Sequence, residues 1–175
     1  MGILDPSTAR RLQAFFAAGG CLLEATKPAP TWLVDARADY DARHPNSPRE
    51  SRILKALHAP EGDTLIVAFD ADGILVGAMS YRVRQDPTDL FVTSIGSTGA
   101  LRGTGVGLLA YLASVSLDLG HGVRASVDPI ATSFYESLGW TEIIPGDPGH
   151  KWRWPLAART TLASLALPAV PEPGL

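Results

Sequence analysis

The pattern of hydrophobic and polar positions changes character about a third of the way along the chain. Before that point it predicts three helices, over residues 4–20, 28–46 and 47–62. The first has capping Asp or Ser residues at its start and a Gly pair at its end, and the second has Asp and Arg at helical spacing. The third begins with Ser47 followed by Glu50, which is a capping-box pattern.

The remainder of the chain mixes strands with helices. Short runs rich in apolar residues, separated by turn residues, predict strands over 64–70, 74–83, 90–98, 123–127, 140–144 and 150–156. Asp72 and Gly73 supply the positive φ values of a tight hairpin turn. Longer apolar runs predict helices over 105–119 and 128–139. The first three predicted strands follow one another without a helix between them, and the later strands alternate with helices only in part. We therefore expect a mixed α/β sheet and not a strict βαβ alternation.

Composition narrows the class of protein. Hydrophobic residues make up 46% of the chain and charged residues 19%, which is typical of a folded globular domain. The formal net charge is −3 and there is no basic run, so we expect no nucleic-acid partner. Cys21 is the single cysteine, which excludes an internal disulfide and a cysteine-based metal cluster, and we expect no metal. With neither a signal-peptide pattern nor an apolar run of membrane-spanning length, we expect a cytoplasmic protein without a membrane partner.

The candidate chemistry lies in the segment "RGTGVG", residues Arg102 to Gly107, between a predicted strand and a predicted helix. Glycines at such a corner let the backbone approach a ligand and point several N–H groups at one place. The helix that follows adds the positive end of its dipole, and Arg102 adds a charge. A phosphate group is the expected ligand, although the same glycines could simply permit a tight bend.

Three kinds of phosphate loop are considered. An ATP-type loop needs a lysine after its last glycine, and none is present here. Gly105, Gly107 and Ala110 match a dinucleotide-binding fingerprint, with Asp128 at about the expected distance. Two features disfavour the dinucleotide-binding interpretation. Several residues intervene between the strand and the glycines, and too little chain follows for the additional βα units that a dinucleotide-binding domain needs.

The third kind fits both the segment and its surroundings. Arg102 to Gly107 matches the pattern Arg/Gln-x-x-Gly-x-Gly/Ala, and "DPIATSFYESLGW", residues 128–140, matches a second signature downstream. Together, at this spacing and in this element order, they resemble the GNAT superfamily of acyl-CoA-dependent N-acyltransferases. The resemblance covers about residues 60 to 154. It implies a mostly antiparallel central sheet with splayed strands flanked by helices, one domain over residues 1–155, and an Ala/Leu/Pro-rich extension over 156–175.

The resemblance also implies which residues bind the co-substrate, acetyl-CoA. The strand before the glycine corner holds the pantetheine arm, which assigns this role to Ile95, Gly96 and Ser97, and an amide near Ser97 is expected to stabilise the oxyanion. Backbone N–H groups hold the diphosphate; the residues assigned to this group, together with Arg102, are Gly103, Thr104, Gly105, Val106, Gly107 and Leu108. Tyr135 resembles the general acid that protonates the departing thiolate, and its alternative role is packing in the core.

Several features depart from the family or leave a role open. Asp128 stands where the family has asparagine, and we expect it to cap the following helix. The residues considered for the general base are Asp86, Asp89, His121 and His150, and none is assigned. The residues considered for the acceptor wall are Trp32, Asp35, Asp39, Tyr40 and Asp41, with exposed ion pairing such as Asp39 with Arg43 as the alternative. Trp152 and Trp154 are expected in the core.

The expected function is therefore transfer of an acetyl group from acetyl-CoA to a primary amine by direct attack. The acceptor can be a small molecule or a peptide, and the Ala/Leu-rich tail would suit the surface of a homodimer. The alternative function is that of a non-catalytic acyl-CoA-binding or regulatory module, which the absence of an obvious general base favours.

Overall fold

The computed structural model describes residues 4–25, 30–45, 52–85 and 88–166. Its helices are α1 (Pro6–Ala17), α2 (Thr31–Arg43), α3 (Arg52–Leu57), α4 (Thr104–Leu119), α5 (Thr132–Ser137, after a 3-10 turn over Pro129–Ala131) and α6 (Leu156–Ala166). Its strands are β1 (Cys21–Ala25), β2 (Thr64–Phe69), β3 (Leu75–Gln85), β4 (Thr88–Ser97), β5 (Gly122–Ser126), β6 (Thr141–Glu142) and β7 (Lys151–Arg153). No helix in these ranges is long and apolar enough to cross a membrane.

The described strands form one sheet in the order β1-β2-β3-β4-β5-β7-β6. Within it only β4 and β5 run parallel, and the other neighbours are antiparallel. This confirms the expected mixed α/β fold with a mostly antiparallel sheet. It also contradicts the dinucleotide-binding alternative, which requires a doubly wound parallel sheet.

Edge strand β1 is the element that the hydrophobic pattern misses. Its sequence, "CLLEA", is short, and none of its five residues is fully buried because the strand pairs only with β2. Such a strand carries little alternation of hydrophobic and polar positions. The predicted cap of the third helix at Ser47 and Glu50 lies outside the described residues, and the described part of that helix begins at Arg52.

Each face of the sheet carries its own hydrophobic core. On one face, α2 and α3 pack through Leu33, Tyr40, Ile53 and Leu57. On the other face lie α1, α4 and α6, where residues such as Leu12, Phe15, Leu108, Leu112 and Leu162 are almost completely buried. Trp152 and Trp154 belong to this second core, as expected; both are buried, and Trp154 stacks on Trp140.

Helix α6 is fixed to the domain by a buried arginine. Arg159 donates from Nε to the carbonyl of Trp154 (3.0 Å) and from Nη1 to Ser116 Oγ (2.8 Å) and the carbonyl of His121 (2.9 Å). Burial lowers the pKa of Arg159, but a guanidinium retains its charge. The first residues after position 155 therefore pack as a helix against the domain.

The parallel strands β4 and β5 separate partway along their length. Asp89 to Val92 pair with Gly122 to Ala125, whereas β4 beyond Val92 pairs only with β3. The separation begins beside a β-bulge: Val92 lies opposite Tyr81 and Ser94 opposite Ser80, so Thr93 is the extra residue. The edge of β4 that faces β5 is therefore left without a strand partner from the bulge to Ser97.

Candidate active site

A cavity of about 450 Å³, the first cavity, lies where β4 and β5 separate. It is bounded by the end of β4, the N-termini of α3 and α4, and α5. Its lining residues are Arg11, Arg52, Ile95, Gly96, Ser97, Gly99, Leu101, Arg102, Gly103, Thr104, Gly105, Val106, Ile130, Ala131, Phe134 and Tyr135. All the residues predicted to bind the co-substrate are present except Gly107 and Leu108, and the predicted acid Tyr135 is present too.

The N-terminus of α4 presents hydrogen-bond donors to this cavity. The first helical hydrogen bond runs from Gly107 N–H to the carbonyl of Gly103 (2.8 Å). By helix geometry, the N–H groups of Thr104, Gly105 and Val106 have no acceptor within the helix. They lie at the positive end of the helix dipole, so this corner suits an anion.

The glycines of the corner face protein. A Cβ on Gly103 would lie 2.0 Å from the carbonyl oxygen of Arg11, and one on Gly107 would lie 2.9 Å from the Phe15 ring. Gly103 also has a φ of +84°, which glycine adopts without strain. Gly103 and Gly107 therefore let α1 pack against the start of α4, and the first residues of α4 line the cavity.

The end of β4 forms the opposite wall. Gly96 was expected to allow close approach of a ligand, but a Cβ there would lie 2.9 Å from the backbone N of Ile53 and 3.0 Å from Cβ of Arg52. Glycine is therefore required at position 96 because α3 crosses β4 at this point and leaves no room for a side chain. The crossing is stabilised by Ser94 Oγ, which donates to the carbonyl of Arg52 (2.8 Å). Ile95 and Ser97 flank this crossing and line the cavity.

Gly107 and Leu108 contribute differently from what the sequence suggests. Leu108 is completely buried in the core between α4 and the sheet. The N–H of Gly107 is already used in the first helical hydrogen bond. These two residues therefore stabilise the start of α4 and do not line the cavity.

Tyr135 combines both roles that the sequence left open. Its ring is 3% exposed and makes edge contacts with Phe134 and Trp140, so it is part of the core. It also lines the first cavity. Burial raises the pKa of Tyr135 to about 12, against an opposing effect of the nearby Arg52 charge. The phenol therefore keeps its proton throughout the physiological pH range.

Two cations of the cavity, Arg11 and Arg52, were not predicted from the sequence. Arg11 of α1 donates from Nη2 to Ser137 Oγ (2.8 Å), and its buried Nε has no hydrogen-bond partner among the residues that the structure describes. Arg52 of α3 pairs with Asp128 at 2.7 Å. With Arg102, the lining holds three arginines and no carboxylate among the described residues. No local pattern marks Arg11 or Arg52, since only packing of α1 and α3 places them here.

Asp128 caps the turn after β5, as predicted. Its Oδ1 accepts from the backbone N–H of Ile130 (3.2 Å), and its Oδ2 accepts from Arg52. It thus joins the end of β5 to the start of α3, beside the mouth of the first cavity.

The residues considered for the general base lie away from the first cavity or outside the described residues. Asp89 is buried at the start of β4, where it pairs with Arg124 (3.0 Å). His121 precedes β5 and His150 precedes β7, and neither lines the first cavity. Asp86 lies outside the described residues.

The aromatic and acidic residues considered for the acceptor are also away from the first cavity. Trp32, Asp35 and Asp39 line a separate, second cavity of about 590 Å³ beside β1. Asp39 forms the expected ion pair with Arg43 (2.8 Å). Tyr40 is buried in the α2/α3 core. Like these residues, Asp41 does not line the first cavity.

Comparison with known proteins identifies the fold. No protein-family model and no curated protein matches the sequence. Among solved structures, the catalytic domain of the Tetrahymena Gcn5 histone acetyltransferase in complex with coenzyme A is 14% identical, with a TM-score of 0.56 over 78% of this chain and 93% of that one. A GNAT-family acetyltransferase from Staphylococcus aureus Mu50 is 15% identical, with a TM-score of 0.55 over 78% and 99%.

A third structure with this fold is the aminoglycoside 6'-N-acetyltransferase of Enterococcus faecium. It is 15% identical, with a TM-score of 0.52 over 76% of this chain and 93% of that one. The chain therefore has the GNAT acetyltransferase fold, which confirms the fold inferred from the two motifs.

Proposed function

We propose that the chain is an acetyltransferase that moves an acetyl group from acetyl-CoA to a primary amine. The observation that carries the proposal is the first cavity itself. It combines the free donors of the α4 N-terminus with the unpaired edge of β4, and Tyr135 lies in the same space. The GNAT fold of the chain supports this assignment.

The residues present fit a coenzyme A thioester. The N–H groups of Thr104, Gly105 and Val106 would hold the diphosphate, and the guanidinium groups of Arg11 and Arg102 would balance its charge. The free edge of β4 over 95–97 would pair with the amides of the pantetheine arm, as an added strand does. Acetyl-CoA supplies an acyl group already activated as a thioester.

In the proposed reaction, the protein positions the two reactants and supplies one proton. The neutral amine of the acceptor attacks the thioester carbonyl carbon, a C–N bond forms, and the C–S bond breaks. Tyr135 donates its proton to the departing sulfur, which leaves as the thiol. The proton lost by the amine passes to water, since the described lining contains no carboxylate or histidine, and water in turn restores the proton of Tyr135.

Two measurements test the proposal. Calorimetric titration with acetyl-CoA should show binding at micromolar to millimolar concentrations, and thiol release with a panel of amines and peptides should exceed that without acceptor. Absence of acetyl-CoA binding at millimolar concentration would contradict the proposal outright.

The second candidate is a non-catalytic acyl-CoA-binding module, and the lack of a carboxylate or histidine in the described lining favours it. In that case acetyl-CoA would bind, but no amine in the panel would increase thiol release. Replacing Tyr135 by Phe would then change no measurable rate. The two candidates therefore give opposite results in the same assay.

A further inference from the structure

One face of the sheet is covered by helices over only part of its width. On the side where α2 and α3 pack, the strands β3, β4, β5 and β7 place Arg82, Phe91, Arg124 and Arg153 in one cross-strand row. Directly paired residues share a face of the sheet, so these four side chains project on the same side. Arg84 and Lys151, two residues from row members, share that face. We call the five cations the cationic face.

The charge of this face is balanced only in part by the residues that the structure describes. Arg82 pairs with Asp63 (3.1 Å) and Arg124 with Asp89 (3.0 Å), and both carboxylates are buried beneath the face. Arg84 lies over the Phe91 ring, 3.7 Å from its centroid. The exposed side chains of Lys151 and Arg153 take part in no ion pair among the described residues.

The pairing register places two of these cations side by side. Arg124 lies directly opposite Arg153 on the antiparallel pair of β5 and β7. Like charges in directly opposed positions destabilise a sheet. Asp89 offsets the charge of Arg124, so Arg153 carries the unbalanced charge of this pair. An anionic partner on the face would balance the charges of Lys151 and Arg153, although the chain as a whole has a net charge of −3.

The cationic face lies next to the point where β4 and β5 separate, because Phe91 and Arg124 directly precede Val92 and Ala125, the last paired residues of these strands. Arg124 lies on β5, which ends at Ser126. Two residues further on, Asp128 pairs with Arg52, which lines the first cavity. The row from Arg82 to Arg153 crosses three strand spacings, about 14 Å, which matches four or five residues of an extended peptide. A single amino acid is too short to contact the whole row.

We propose that the acceptor is an acidic peptide, whose carboxylates contact the cationic face while its amine enters the first cavity. This inference rests on the proposed acetyltransferase function. A nucleic acid is disfavoured because two of the five cations are already neutralised from below, and tight binding to a phosphate backbone needs many free cations.

The test compares short peptides that have one free α-amino group and differ only in Glu, Gln or Arg at the following positions. In low salt, kcat/KM for the Glu peptide should exceed that for the Gln peptide about tenfold, and the difference should shrink at about 0.5 M salt. The Arg peptide should be the poorest. Labelled peptides should show the same order of affinity when titrated in the presence of acetyl-CoA.

The double variant Lys151→Gln/Arg153→Gln should remove most of the Glu preference while KM for acetyl-CoA and the rate with the Gln peptide stay unchanged. Arg10→Gln, which removes an exposed cation on α1, is the control and should keep the preference. Equal rates and affinities for the Glu and Gln peptides, with acetyl-CoA bound, would overturn this inference and leave the proposed function standing. A labelled RNA oligonucleotide that binds more tightly than the Glu peptide would also overturn it. Failure to bind acetyl-CoA would instead overturn the proposed function.

Discussion

The two sides of the first cavity have different origins in the sequence. On the α4 side, the donors and the aromatic groups come from two short segments in the second half of the chain, Arg102–Val106 and Phe134–Tyr135. On the other side, Arg52 arrives with α3 beside β4, and Arg11 reaches the corner from α1. The first set supplies backbone donors and a proton, whereas the second adds charge from distant parts of the chain. The packing at the corner therefore involves α1 as well as the glycines of the corner itself.

The largest predicted effect tests this packing. Gly103→Ala combines a positive φ with a Cβ 2.0 Å from the backbone oxygen of Arg11, which cannot move without displacing α1. We expect a loss of about 3 kcal/mol or more in the free energy of unfolding, measured by urea denaturation. The matched control is Gly99→Ala, which has a φ of +79° but no heavy atom within 4 Å and should cost about 1 kcal/mol. Equal losses would mean that the α1 contact contributes nothing.

The sequence predicts the α4 side well because its signals are local. A strand, a glycine corner and a helix follow one another directly, and the hydrogen-bond donors are fixed by helix geometry. What the glycines contact could not be predicted, since Phe15, Arg11 and Phe134 come from other elements. The same holds for Gly96, where the neighbour is α3. Strand β1 escaped prediction because it is a short edge strand with no fully buried residue, paired with β2 alone among the described strands.

The second effect concerns Tyr135, which lies on the α4 side of the first cavity and is the proposed proton donor. Tyr135→Phe should lower kcat about a hundredfold and leave acetyl-CoA affinity unchanged, because only the proton donor is lost. Since burial raises the pKa of this phenol to about 12, we expect wild type and variant to have pH–rate profiles of the same shape below about pH 10.

Tyr111→Phe provides the matched control for this substitution. The Tyr111 hydroxyl donates to Glu24 Oε2 (2.7 Å) on β1, away from the first cavity. Its loss should leave kcat unchanged. A Tyr135→Phe enzyme with the wild-type kcat would remove the phenol from the proposed reaction.

The third effect tests the contribution of α1 to the charge of the cavity. Arg11→Gln should weaken acetyl-CoA binding about tenfold, which corresponds to about 1.4 kcal/mol, because one charge-assisted contact to the diphosphate is lost. Acetyl-pantetheine lacks the diphosphate and should bind or react equally well with both proteins. Arg10→Gln changes the exposed neighbour and should affect neither ligand. A parallel loss with acetyl-pantetheine would show that Arg11 only supports the fold.

The smallest effect concerns the ion pair at the mouth of the cavity. Asp128→Asn keeps an oxygen that can accept from Ile130 N–H, so the cap remains, but it removes the negative charge beside Arg52. The two side chains are 42% and 39% exposed, and an ion pair of this kind contributes at most about 1 kcal/mol to stability. With the carboxylate gone, Arg52 is free to face an anionic ligand. Acetyl-CoA affinity should therefore rise about twofold in low-salt calorimetry, and the gain should disappear as salt screens the charges. A fall in affinity would mean that Asp128 holds Arg52 in the orientation that binding requires.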